Sequence, residues 1–198
     1  MTRSRGLGDV YKRQVFASAD VIQPWSRAAL APLLNDEAYV LVKLTAKGER
    51  QGDVSAISLV DEKTGEFIRV AASGSEPQLL KVKAGKYRLA RRSFSNSASI
   101  KGLLIEPKTV TYIGDWAVTR GQTFKVNGEY ISLDSTSYGI EYKPGALLWA
   151  AQRYDFPAGY RPVISAASGH QLKARWAYAQ DGAIAGIQYE FLPFEWVR

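Results

Sequence analysis

The chain has one histidine, and it lies near residue types that a hydrolytic triad requires. Ser168 and Asp155 are available as nucleophile and orienting acid for His170. A triad needs the histidine to act as a base within reach of the nucleophile. However, His170 lies in the run Ala167–Gln171, which reads as a loop before a strand and has no nucleophile-elbow pattern. We therefore expect a surface-loop histidine and assign no catalytic residue.

Paired carboxylates are the other arrangement that could support catalysis. Glu129, Asp134 and Glu141 occur in strand-like segments, and two suitably spaced carboxylates can hydrolyse a glycosidic bond. Since any β protein of this size has such residues, a glycan hydrolase stays an alternative rather than the main interpretation. One histidine, no cysteine and no calcium-loop motif give no specific metal site, so no metal or cofactor is expected.

The densest basic cluster points to binding rather than catalysis. In an extended strand Arg88 and Arg92 share one face, while Arg91 lies on the other. Such a face is suited to an anionic glycan, such as lipopolysaccharide or a phosphorylated glycan, or to the acidic surface of an envelope protein. The alternative is an ordinary solvated strand face, or charges that protect a sheet edge from aggregation.

Aromatic residues are abundant, with 5 Trp and 11 Tyr. Aromatic rings can stack on sugars, but on alternating strands they more often belong to the core because of the area they bury. Trp116, just after the Gly114–Asp115 turn, and Trp196, near the end of the chain, are expected to be the most exposed. The predicted binding residues are therefore Arg88, Arg92, Trp116 and Trp196.

Strands and turns must position these residues. The run Val54–Val60 and the run Phe67–Val70 flank a glycine-containing turn, which predicts a hairpin. Asn127–Gly128 predicts a second hairpin, because this dipeptide suits the type I′ turn. Asp181–Gly182 predicts a third, flanked by clean alternation that is typical of an antiparallel sheet with one buried face.

One helix is expected in this otherwise β-rich chain. Pro144 can begin it, Leu147, Ala151 and Tyr154 fall on one helical face, and Pro157 stops it. About ten short strands and this segment predict an all-β fold, an antiparallel β-sandwich with one short accessory helix near 145–155. No apolar stretch is long enough to predict a transmembrane helix.

Two short segments resemble known exported proteins. Val82–Leu89 resembles a segment of transthyretin-like and carboxypeptidase-regulatory-like β-sandwiches, and Val110–Asp115 resembles a segment of small exported bacterial proteins of unknown function, many of them lipoproteins. The resemblance covers about Ala38 to Val163. It implies a β-sandwich in which Gly85 allows a tight turn and Tyr87 begins a returning strand. Its motifs are structural, so it implies a compartment but no reaction.

The N-terminus has a different origin. A transposase-based sequencing adapter, translated in one frame, matches Ser4–Gln14 without a gap, so residues 1–14 are expected to be an artefact with no role. They contain Arg3, Arg5, Lys12 and Arg13 against Asp9. Subtracting this net +3 from the formal +7 leaves +4, which weakens any nucleic-acid interpretation of the basic chain. The gene is expected to be metagenomic or from a draft assembly.

The next residues resemble a signal-peptidase site. Ala17-Ser18-Ala19 has the small-x-small form, so residues 15–19 are expected to be a signal-peptide remnant and the mature protein to begin near Asp20. The alternative is a linker of small residues. We expect an extended lead-in over 20–37, one β-sandwich domain over 38–198, and a periplasmic or extracellular location.

Taken together, the residues predict a non-catalytic cell-envelope protein that binds a protein partner or an anionic polymer. Two alternatives stay open, a carboxylate-based glycan hydrolase and a structural subunit of an envelope assembly. Nucleic acid is not an expected partner.

Overall fold

The computed structural model describes residues 16–17, 21–22, 30, 32–48, 56–89, 102–126, 129–143 and 145–190. This part of the chain is mostly β-strand, with one α-helix and two sheets, so the all-β class is confirmed. Within these ranges the structure has no helix of the length and apolar character needed to cross a bilayer.

The described residues form thirteen strands and one helix, against the ten or so strands expected. In chain order they are β1 (Phe16–Ala17), β2 (Val21–Ile22), β3 (Glu37–Gly48), β4 (Ala56–Asp61), β5 (Phe67–Ala71), β6 (Gln78–Lys83), β7 (Gly85–Leu89), β8 (Leu103–Ile105), β9 (Thr109–Val126), β10 (Glu129–Glu141), α1 (Gly145–Arg153), β11 (Arg161–Ser165), β12 (Gln171–Tyr178) and β13 (Ile184–Tyr189).

The smaller sheet has five strands in the order β1-β5-β4-β7-β8. Its centre is the predicted hairpin of β4 and β5, which is confirmed. Asp61 fixes the turn because its Oδ1 accepts the N–H groups of Lys63 and Thr64 at 2.7 and 2.8 Å. Gly65 then takes a φ of 73°, a conformation that glycine adopts without penalty.

The larger sheet has eight strands, seven in the order β13-β12-β11-β9-β3-β6-β2, with β10 paired to β9. The two other predicted hairpins, β9–β10 and β12–β13, are confirmed. The expectation of an antiparallel fold is met by most strand pairs but is wrong for three, because β3 and β11 both run parallel to β9, and β1 runs parallel to β5. Parallel neighbours need a long connection, and here β4 to β8 lie between β3 and β9, while β10 and α1 lie between β9 and β11.

The predicted tight turn at Gly85 is also wrong. β6 belongs to the larger sheet and β7 to the smaller, so the chain crosses between sheets at Ala84 instead of returning as a hairpin. Glycine is needed at 85 for a different reason, since a Cβ there would lie 2.9 Å from Oδ2 of Asp61. Tyr87 supports the crossing by donating its hydroxyl hydrogen to the carbonyl of Lys83 at 2.8 Å.

The core has two clusters, one on each face of the larger sheet. The first combines α1 with residues of β3, β6, β9, β11 and β12, and the second combines residues of both sheets. The predicted helix is confirmed, and Leu147 and Tyr154 are buried as expected. Ala150 rather than Ala151 completes the buried face, since Ala151 is only partly buried.

Alternation along β12 holds over most of its length. Leu172 and Trp176 are buried while Lys173 and Arg175 are exposed. Tyr178, the last residue of β12, continues this alternation in sequence but is 55% exposed. The pairing with β13 shifts register between Ala177 and Tyr178, which ends the regular alternation.

Candidate functional site

A β-bulge in β9 decides where Trp116 lies. Tyr112 pairs with Leu41 of β3, but Asp115 pairs with Lys43, so β9 has one extra residue over this step. The extra residue reverses the faces of all later positions. Trp116 therefore points into the second core cluster, where it is 1% exposed.

Trp116 is consequently not a surface residue, and the expectation that it is among the most exposed aromatic residues is wrong. Its indole N–H donates to the carbonyl of Ile113 at 2.9 Å, which satisfies the one polar atom of the side chain inside the core. The Gly114–Asp115 step is a bulge within a continuous strand rather than a turn that ends it.

Polar side chains converge beside this bulge, in a group that we call the bulge cluster (Tyr112, Asp115, Glu141 and Lys143). The ammonium of Lys143 lies 3.2 Å from Oδ2 of Asp115 and 3.1 Å from Oε2 of Glu141. These hydrogen bonds and charges raise the pKa of Lys143. Asp115 and Glu141 therefore contact the same ammonium group. This group lies at the end of the β9–β10 pairing, where Asp115 pairs with Glu141.

Tyr112 completes the bulge cluster from the buried side. It donates to Oδ1 of Asp115 at 2.8 Å and accepts the N–H of Lys143 at 3.3 Å. Burial raises the pKa of Tyr112, and the hydrogen bond to Asp115 acts in the same direction. Tyr112 keeps its proton at physiological pH, so its role here is that of a structural hydrogen-bond donor.

The side chains of Glu129 and Asp134 lie outside what the structure describes. Across the described ranges, no three His, Asp or Glu side chains are grouped closely enough to hold a metal ion.

His170 and Ser168 are brought together, but in an exposed turn. Ser168 Oγ and His170 Nδ1 are 3.0 Å apart, between residues two positions apart in the β11–β12 turn. Asp155 follows α1, and its carbonyl accepts the N–H of Leu30. Among the described contacts, no hydrogen bond joins Asp155 to His170, and the histidine pair is a turn contact.

Arg88 is exposed and lies on the outer face of the smaller sheet. Leu59 of β4 packs in the second core cluster, so its neighbour Val60 faces the opposite side. Arg88 is directly opposite Val60, and Arg69 of β5 is opposite Ser58 on the same outer face. Strand geometry places Arg69 and Arg88 two strands, about 10 Å, apart across the sheet and two residues, about 7 Å, apart along it.

Lys86 adds a third cation on this face, two positions before Arg88. We call Arg69, Lys86 and Arg88 the basic face. All three are exposed, and Lys86 contacts Oε2 of Glu62 in the adjoining turn at 3.2 Å. The strand positions that point outward on this sheet contain no acidic residue in the described part of the chain; they are Ala56, Ser58, Val60, Phe67, Arg69, Ala71, Lys86, Arg88 and Leu104.

The structure thus separates the predicted binding residues. Arg88 is on the outer face, whereas Trp116 is in the core beneath that sheet. Arg92 and Trp196 lie outside the described residues. Arg69 was missed, although the alternation in Phe67–Val70 and the β4–β5 hairpin were enough to put it beside Arg88.

Described tryptophans other than Trp116 also belong mainly to the core. Trp176 stacks on Phe156 with ring centroids 5.8 Å apart and donates its N–H to the carbonyl of Tyr160 at 2.8 Å. Trp149 is partly buried, with the Arg153 guanidinium 4.2 Å above its ring. These rings stabilise the fold and do not form a sugar-stacking platform.

No protein-family model, curated protein or solved structure matches the chain.

Proposed function

We propose that the protein is a β-sandwich of the cell envelope that binds an anionic macromolecule through the basic face, without catalysing a reaction. The observation that supports this proposal is the alignment of Arg69, Lys86 and Arg88 on the outer face of one sheet. The sequence predicted binding through Arg88, Arg92, Trp116 and Trp196; the β4–β5 register adds Arg69, and alternation along β7 adds Lys86.

Three exposed cations on one face of a sheet suit a long, multiply charged ligand better than a small one. Each contact in water contributes little, because exposed ion pairs are worth about 0–1 kcal/mol. A polyanion contacts several cations at once, and the field of the whole face attracts it. The contact between Lys86 and Glu62 is itself an exposed pair, so it can be exchanged for a ligand contact at small cost.

The sandwich arrangement is supported by shared core residues. Val40 and Leu80 of the larger sheet pack in one cluster with Ile57 and Leu59 of the smaller sheet. Face-to-face sheets about 10 Å apart interdigitate their inner side chains in this way. In such an arrangement the basic face lies on the side of the smaller sheet that points away from the larger one, where Arg69, Lys86 and Arg88 are exposed and Val60 is buried.

Hydrogen bonds between side chains and backbone at one border also support the sandwich. The N–H of Leu104 in β8 donates to Oγ of Ser165 at 3.2 Å, and Nε2 of the Gln171 side chain donates to the Leu104 carbonyl at 2.9 Å. These bonds connect the border strand of the smaller sheet to β11 and β12 of the larger one.

The proposed compartment rests on the sequence. Ala17-Ser18-Ala19 has the form of a signal-peptidase site, and a signal peptide that ends in such a site directs a protein to the periplasm or the exterior. Anionic glycans and lipids are abundant on those surfaces.

Binding to purified lipopolysaccharide and to polyphosphate tests the proposed function. We expect the double variant Arg69→Ala/Arg88→Ala to bind at least about tenfold more weakly, and binding by the parent to weaken between about 50 and about 200 mM salt. Arg175→Ala is the matched control, since Arg175 is an exposed strand arginine on the other sheet, 2.9 Å from Glu190. Equal binding by the parent and the double variant, or no binding of any polyanion, would overturn the proposal.

A further inference from the structure

The turn between β11 and β12 lies beside β8, the border strand of the smaller sheet. Ser165 and Gln171 flank this turn, and their side chains bond to the backbone of Leu104 in β8 at 3.2 and 2.9 Å. A Cβ at Gly169, inside the turn, would lie 3.9 Å from the carbonyl oxygen of Gly102, just before β8. The turn is therefore the next element beyond β8.

Lys86 of the basic face approaches Gly102 from the opposite side of β8. It pairs with Leu104, and its Cε and Cγ lie 3.1 and 3.6 Å from the position that a Cβ on Gly102 would take. The carbonyl oxygen and the Cβ position of one residue are about 3 Å apart, so Cε of Lys86 and the Cβ position of Gly169 are separated by at most about 10 Å. The basic face and the β11–β12 turn are therefore neighbours.

His170 is the residue of this turn that can gain a positive charge. It is the single histidine of the chain, and histidine ordinarily changes its charge between about pH 5 and about pH 8. Ser168 and His170 are both exposed, with Ser168 Oγ 3.0 Å from Nδ1 of His170. In the charged imidazole both ring nitrogens are donors, so Ser168 can accept from Nδ1 while Nε2 donates to a ligand.

The charged side chains on the surrounding elements are already paired with one another or belong to the basic face. Tyr142, before α1, accepts the N–H of Ala167 at 2.8 Å, and burial raises the pKa of Tyr142, so this phenol stays neutral. In the described part of the chain, no hydrogen bond or ion pair joins His170 to a carboxylate. The charged groups are Lys86 with Glu62, Arg88, Lys143 with Asp115 and Glu141, and Glu106 with Lys173 and Arg161.

We propose that His170 belongs to the anion-binding surface as a fourth cation beside the basic face, so that the protein binds anionic polymers more tightly at mildly acidic pH. This inference rests on the proposed function, because the ligand is the polymer that the basic face binds. Between Lys86 and His170 such a polymer passes Gly102 and Gly169, which have no side chain to obstruct its approach.

The test measures binding of dextran sulfate to the full chain at about pH 7.5 and about pH 5.5, in low salt. Sulfate groups keep their charge over this range, so a change in affinity comes from the protein. We expect the parent to bind about threefold more tightly at the lower pH, as one additional exposed ion pair predicts. His170→Gln keeps a polar side chain without the charge, so its ratio of affinities should be close to one.

His170→Arg supplies a permanent charge at the same position. We expect it to bind at about pH 7.5 as tightly as the parent does at about pH 5.5. Lys173→Gln is the matched control, because it removes a permanent charge from an exposed side chain of β12 and should keep the threefold ratio. Since the side chain of His170 is exposed, both His170 variants should keep the unfolding midpoint of the parent.

The outcomes separate this inference from the proposed function. An equal pH dependence in the parent and in His170→Gln overturns it, as does a His170→Arg variant that binds no more tightly than the parent at about pH 7.5. In both cases a loss on Arg69→Ala/Arg88→Ala leaves the proposed function intact. If dextran sulfate, lipopolysaccharide and polyphosphate all fail to bind at either pH, both are overturned.

Discussion

Tyr112 donates its phenolic hydrogen to Asp115 at 2.8 Å, across the point where β9 changes its neighbour. β11 pairs with β9 up to Tyr112, and β10 pairs with β9 from Asp115 onward. Gly114 lies between them with a φ of 101°. The bulge, the exchange of neighbours and the bulge cluster therefore depend on one another.

Replacing Gly114 tests this dependence. A Cβ at this position would lie 2.6 Å from Cγ2 of Ile140, and the positive φ is unfavourable for any L side chain. We expect Gly114→Ala to lower the free energy of unfolding by about 2–4 kcal/mol. Urea unfolding followed by circular dichroism measures it.

Gly139 provides the matched control for this substitution. It lies in β10, and a Cβ there would meet no atom within 4 Å. We expect Gly139→Ala to change stability by no more than about 0.5 kcal/mol. If Gly114→Ala proved as harmless as Gly139→Ala, the bulge would not need its glycine.

Alkaline pH should destabilise the protein through its buried phenols. Burial raises the pKa of Tyr39 to about 12 and also raises the pKa of Tyr87 and Tyr112. An unfolded tyrosine ionises near pH 10, so above about pH 10 the unfolded chain binds fewer protons than the folded one. The free energy of unfolding is then fully retained below about pH 10 and falls as the pH rises toward about 12.

Urea unfolding midpoints across this pH range, read beside phenolate absorbance, measure the effect. Tyr39→Phe removes one of the buried phenols and should make the decline shallower. Tyr178→Phe is the control, since Tyr178 is 55% exposed. An unfolding midpoint that stays constant from about pH 9 to about pH 12 would contradict the raised pKa values of these buried phenols.

Trp116→Phe distinguishes a core residue from a ligand-binding one. The change removes the hydrogen bond to Ile113 and some buried volume, so we expect a loss of about 1–3 kcal/mol of stability. Polyanion binding should equal that of the parent. If Trp116→Phe weakened polyanion binding and left stability unchanged, Trp116 would belong to the ligand-binding site.

Processing after Ala19 can be observed directly. When a charged segment and an apolar run are supplied before Val15, we expect export and a mature N-terminus at Asp20, read by mass spectrometry. Ala19→Leu should block cleavage, because the position before the cut requires a small residue. An uncleaved product with Ala19 intact would contradict the assignment, and cleavage would also detach β1 from β5.

Most of the correct predictions came from patterns among residues that are close together in the sequence. Asn127–Gly128 and Asp181–Gly182 each predicted a hairpin that forms, because both strands adjoin the turn. The face of Trp116 could not be predicted, since one extra residue at a bulge reverses the alternation and only tertiary pairing reveals it. The crossing between sheets at Ala84 could not be predicted either. Two strands joined by a short link have the same sequence pattern whether they pair with each other or belong to different sheets.

The basic face was predicted in part. Arg88 was found from the density of arginines along the chain, which is a property of sequence neighbours. Arg69 reaches the same face through cross-strand register, so it needed the β4–β5 pairing to be followed one step further. The burial of Trp116 could not be predicted from neighbours in sequence, because it depends on the register of β9 with β3, which is distant in sequence.

The parallel pairing of β3 with β9 has a consequence for the order of folding. Tyr39 pairs with Val110, and all of β4 to β8 lies between them in the chain. Hairpins such as β9–β10 close short loops and form within microseconds, whereas such a distant pair must first bear the entropy of closing a long loop. The β3–β9 pair at the centre of the larger sheet is thus expected to form after the hairpins. Because such distant pairs give the chain a high contact order, we expect it to fold slowly.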